Sequence, residues 1–81
     1  MIDNTRAGQN IVYHRQCMGW TQGELAGRLN VTHQAVSKWE NGAALPDIAT
    51  LLSLSRLFAV SMEDLLTGDP AVQHPSESAE A

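Results

Sequence analysis

The sequence predicts an all-α domain, a compact arrangement of five short helices. Three observations lead there. Apolar residues recur at steps of three and four, and no stretch alternates with the period of two that marks a strand. Glycine and proline fall at the boundaries of the periodic segments. Hydroxyl residues stand at the head of apolar runs at Thr21, Thr32 and Ser61, the signature of a helix start. Loops of two to six residues then join the segments, as expected of a small helical domain.

The first helix runs from about Asn4 to Cys17, with Ala7, Ile11 and His14 on one stripe, and Gly19 ends it. Thr21 and Glu24 form a capping box for the second, in which the hydroxyl takes the Glu24 amide and the carboxylate reaches back. Leu25, Ala26 and Leu29 face inward, and Asn30 suits the left-handed residue that ends the helix. Thr32 caps a third helix reaching Glu40, whose buried stripe is Ala35, Val36 and Trp39, and Asn41-Gly42 stops it. Pro46 and Asp47 open the fourth, whose apolar positions are Ile48, Leu51, Leu52, Leu54, Leu57 and Phe58. Ser61 and Asp64 give a box-like cap to a short fifth helix carrying Leu65 and Leu66, stopped by Gly68.

Eighty-one residues, 43% of them hydrophobic, allow one domain with one modest core. Residues 1–68 are read as that domain, and 69–81, rich in Pro, Ser, Ala and Glu without apolar period, as an acidic disordered tail. Most of the net charge of −4 sits in the tail, because residues 1–68 carry five cations against six acids. The single cysteine excludes an internal disulfide and a cysteine-based zinc finger. No apolar run has membrane-spanning length and no signal-like segment opens the chain, so a cytoplasmic protein with no membrane partner is expected. His14 and Cys17 lie three apart, but two ligands make no metal site; they read as a half-buried histidine beside a buried cysteine. No cofactor is implied. No nucleophile–base constellation, phosphate-cradling loop or carboxylate pair supports catalysis, so an enzyme is not expected.

The densest information lies between Thr21 and Gly42, TQGELAGRLNVTHQAVSKWENG. It reads as two short helices joined by a tight turn, the second with a polar face opposite Ala35, Val36 and Trp39. Together with ALPDIATLLSLSRLFAVSMEDLLTG, this stretch resembles the Xre-type helix-turn-helix family, the lambda-repressor-like fold of phage and bacterial repressors. The resemblance covers roughly Ala7 to Gly68. It implies a sequence-specific DNA-binding transcriptional regulator, a repressor, in a bacterial or phage nucleoid. It places helix 3 in the major groove, with Thr32, His33, Gln34, Ser37 and Lys38 reading bases. Gln34 suits adenine, Lys38 guanine acceptors, and His33 a base acceptor or a phosphate. Gln22 and Asn41 match family phosphate contacts, and Arg28 and Arg6 are further phosphate candidates.

The same resemblance implies that Arg15 and Glu40 form a structural ion pair between helices 1 and 3. Ala43-Ala44 stands where relatives often carry a cation, and Trp20 replaces a usual leucine, with the expectation that it fills space left by the small Ala7. Arg56, on helix 4, is expected to be solvated, and Trp39 to be core. One helix reads few base pairs, so a homodimer on a palindromic operator is expected, joined through Met62, Leu65 and Leu66 of helix 5 with part of helix 4. The alternative is a protein-interaction module, such as an antitoxin or adaptor with a protein partner, using the same fold with weak DNA binding.

Overall fold

The computed structural model describes residues 3–69. Five helices form the fold: α1 (Asn4–Cys17), α2 (Gln22–Leu29), α3 (His33–Glu40), α4 (Ile48–Phe58) and α5 (Met62–Thr67). Among the described residues there is no strand. The tail expected after Gly68 lies, from residue 70 on, outside the described residues. The connection between α3 and α4, residues 41–47, exceeds the two to six residues expected of the loops.

Each start is capped by a side chain. Asp3, Thr21, Thr32, Asp47 and Ser61 precede the five helices in extended conformation and accept backbone N–H groups of the first turn. At α2 the box is complete: Glu24 N donates to Thr21 Oγ1 at 3.0 Å and Thr21 N to the Glu24 carboxylate at 2.8 Å. At α4 the cap is Asp47 itself, with Pro46 one residue outside the helix. Hydrogen bonds from Thr50, side chain first and backbone second, hold the Asp47 carboxyl below the usual carboxylate range.

The ends of α1 to α4 share one design. A left-handed residue follows each: Gly19, Asn30, Gly42 and Ala59, with φ of 77°, 60°, 83° and 58°. The next N–H then reaches back five residues, as in Trp20 to Arg15, Val31 to Ala26, Ala43 to Lys38 and Val60 to Ser55. This is the Schellman closure, which satisfies carbonyls that the helix leaves unpaired. Ala59 performs it with a Cβ that opposes the left-handed conformation.

The core comprises Ile11, Leu25, Ala26, Val36, Trp39, Leu51, Leu54, Phe58 and Leu65. α1 crosses both α3 and α5, while α2 packs on α3 and α4. The α1–α3 crossing is tight because Gly8 presents no side chain. A Cβ there would stand 2.3 Å from the Trp39 carbonyl oxygen. Asn10, between Ala7 and Ile11, is fully buried, and its Nδ2 faces the carbonyls of Asp64, Leu65 and Gly68 at 3.2, 2.9 and 3.0 Å. It closes the C-terminal end of α5, and its Oδ1 has no partner.

Three expectations require correction. Cys17 is exposed, since it lies on the edge of the α1 stripe in the helix's last turn, while His14 is buried and stacks on Phe58 at 5.4 Å. Trp20 does not fill space beside Ala7. Those residues flank opposite ends of α1, and the indole packs near Phe58, with ring centroids 6.4 Å apart. Leu65 is fully buried and therefore no part of a surface, and Met62 and Leu66 are themselves packed against the core. The exposed large apolar side chains among the described residues are Met18, Ile48 and Leu52.

Candidate nucleic-acid interface

α3 is a two-faced helix. Val36 and Trp39 are buried, with Ala35 half-buried beside them. Thr32, His33, Gln34 and Lys38 are exposed, and Ser37 is half-buried. The spacing of 3.6 residues per turn thus separates a core stripe from a polar one, as the sequence implied. Thr32 uses its hydroxyl to accept the Ala35 N–H at 3.1 Å, so part of its hydrogen-bonding capacity belongs to the cap.

Behind that helix runs a continuous polar relay. Arg15 donates to both Glu40 oxygens, Nε to Oε2 at 2.7 Å and Nη2 to Oε1 at 3.1 Å, and its Nη1 donates to the Trp20 carbonyl at 2.8 Å. The two side chains are only 13% and 5% exposed. The expected ion pair is therefore present and bidentate. Gln22 extends it: its Nε2 donates to Glu40 Oε1 at 2.8 Å, and its Oε1 meets His33 Nε2 at 3.0 Å. The first residue of α2, the first of α3 and the last of α3 are thereby tied to the end of α1. The spacings of eleven and eighteen residues gave no sign of this; only the Arg15–Glu40 link was legible, through the resemblance.

The phosphate candidates fall in different places. Gln22 is half-buried with its amide engaged as described. Asn41 is exposed, and its Oδ1 accepts the Ala43 N–H at 2.9 Å. Gly42 abuts Thr5, where a Cβ would come within 3.1 Å of the hydroxyl. The start of α1, with half-buried Arg6, therefore adjoins the Asn41 loop. Arg28 lies elsewhere, its guanidinium carbon 4.1 Å from the centre of the Trp20 ring, a cation–π arrangement. It shares a shallow hollow with Leu29, Ser53, Arg56 and Leu57, on the α4 side. Arg56 is exposed.

A helix-turn-helix family model matches residues 13–65, which contain both helices and the relay. The chain belongs to the Xre-like helix-turn-helix family. Among curated relatives of this helix-turn-helix chain, the HTH-type transcriptional regulator DicA of Escherichia coli (strain K12) is 35% identical over 78 residues, covering 89% of this chain and 58% of DicA. The HTH-type transcriptional regulator ImmR of Bacillus subtilis (strain 168) is 40% identical over 62 residues, covering 76% of this chain and 49% of ImmR. The chain thus spans about half the length of these relatives. The crystal structure of the P22 c2 repressor in complex with a synthetic operator is similar with a TM-score of 0.73 at 32% identity, covering 78% of this chain and 96% of the repressor chain. The fold is the lambda-repressor-like one. No described helix is long and apolar enough to cross a membrane.

Proposed function

We propose that this helix-turn-helix chain is a sequence-specific DNA-binding transcriptional regulator that occupies a palindromic operator as a homodimer. The observation that carries the reading is the polar face of α3, exposed at His33, Gln34 and Lys38 and fixed from behind by the core and the Arg15–Glu40–Gln22 relay. A rigidly mounted helix with free donors and acceptors is what base readout requires. Similarity to a repressor solved on its operator supports the same reading. In this reading Gln34, Ser37 and Lys38 read bases, with Thr32 and His33 at the helix start. Asn41 and Arg6, on adjoining segments, hold phosphates, and the helix-start amides at Gln22 assist. Arg28 serves chiefly to cover Trp20. Ile48 and Leu52 of α4, exposed at 72% and 40%, replace Leu65 as the centre of the dimer surface. In this reading the chain works in the bacterial cytoplasm, whether a bacterium or a phage encodes it.

Selection from a random duplex library with the purified chain tests this. The expected product is a palindromic motif with half-sites about one helical turn apart. Recovery of no motif at low salt contradicts the reading. Because Lys38 and Arg6 are the main cations left for DNA, the log–log dependence of affinity on salt should be shallow, with a slope of roughly −2 to −4 for a dimer. A slope near −8 would contradict the contact assignment.

A second reading, a protein-interaction module with weak DNA binding, is favoured by that same poverty of charge. Of five cations, Arg15 is committed to Glu40 and Arg28 to an indole. Pull-down of a stoichiometric protein partner by a chain that selects no DNA motif would support it.

A further inference from the structure

Of the five cations, two converge on a hollow that α3 does not line. Arg28 stands in the last turn of α2 and Arg56 in the last turn of α4. A cation is favourable at either helix end, but that preference does not bring both to one hollow. Leu29 and Leu57, both half-buried, and the exposed Ser53 complete its lining.

Neither arginine has an anion of its own. Glu24, the acid one turn before Arg28, is engaged with the Thr21 amide, and α4 contains no acid. Among the described residues neither guanidinium makes a hydrogen bond or ion pair. Stacking on Trp20 occupies one face of Arg28 and leaves the N–H groups in the guanidinium plane unused. The indole is itself fixed, by Phe58 beside it and by Arg15 Nη1 on its carbonyl. Arg28 is therefore a donor fork already set in place, which lowers the ordering cost of binding.

We propose that this hollow docks an acidic segment of a partner protein, one that carries a large apolar side chain between two carboxylates. The apolar group covers Leu29 and Leu57, and the carboxylates take Arg28 and Arg56. Complementarity of charge and surface selects that occupant. A nucleic-acid backbone brings phosphates but nothing apolar for the leucines, and a purely apolar segment leaves both forks unfilled. Because α3 lines no part of the hollow, the site stands whether or not α3 reads bases.

Panning a random-peptide display library against the full chain tests this. The enriched peptides should carry Asp or Glu on both sides of a Leu, Ile, Phe or Met. A synthetic copy of one should shift the backbone amide resonances of Arg28, Leu29, Ser53 and Leu57. Both arginines are exposed, so Arg28→Gln and Arg56→Gln should keep the fold, and each should weaken that peptide by about fivefold or more. Panning against Arg56→Glu should replace one enriched acid by Lys or Arg. No enrichment, a motif without acids, or a footprint on α3 or at Ile48 and Leu52 overturns the inference. So does unchanged peptide affinity in both Gln variants. If those variants instead lose affinity for duplex DNA, with a salt slope reduced by about one per subunit, the arginines are phosphate contacts and the inference falls. Hollow resonances that shift with chain concentration alone would assign it to a second copy and overturn it too.

Discussion

The α2–α3 unit and the α4–α5 unit are both helix pairs on one core, yet they are held by different forces. α3 is pinned by directional bonds: an Arg15–Glu40 fork, a Gln22 bridge and the close seat that Gly8 allows. The α4–α5 unit relies on apolar burial of Leu51, Leu54, Phe58 and Leu65, with one buried amide, Asn10, closing α5. Its turn passes through a left-handed alanine. Apolar contacts tolerate small shifts, whereas a bidentate pair fixes an angle. The contrast places precision where bases would be read and a more forgiving apolar packing at the end that presents Ile48 and Leu52.

Breaking the relay should have the largest effect. Glu40→Ala leaves Arg15 buried without its anion and Gln22 without its acceptor, and should cost about 3–5 kcal/mol in denaturant unfolding. A cost below about 1 kcal/mol would mean that the two units do not differ as described. Asn10→Ala removes the closure of α5 and should cost about 1–3 kcal/mol, with amide exchange accelerated first in α5 and not in α3. Ala59→Gly relieves the left-handed alanine and should stabilise by up to about 1 kcal/mol. Little change, or destabilisation, would show that the α4–α5 turn holds no strain.

Most of the fold was legible because its signals are local. Thr21 with Glu24, Asn30 and Thr32 each encode a cap or stop within four residues, and the structure uses them as read. Asn10 was not legible, since a polar residue on an apolar stripe declares no partner and its acceptors lie more than fifty residues away. Ala59 was missed because alanine is an ordinary helix former whose φ is imposed by the packing that follows. Cys17 and Leu65 misled for the same reason: periodicity gives a face but not where neighbouring helices end. At the interface, α3's polar face was readable from spacing. The double role of Gln22, with Glu40 on one side and His33 on the other, arises only when the fold brings residues eleven and eighteen apart together.

The central claim is that α3 reads base edges, and Gln34 tests it most directly. It is exposed, and no hydrogen bond of it is seen among the described residues, so its removal should leave the fold unaltered. Competition binding of the wild type and Gln34→Ala, on the selected operator and on a scrambled duplex, should show site preference falling by about 5- to 150-fold per half-site, with scrambled-duplex affinity unchanged. Full selectivity in Gln34→Ala, with Lys38→Ala equally selective, would contradict the account.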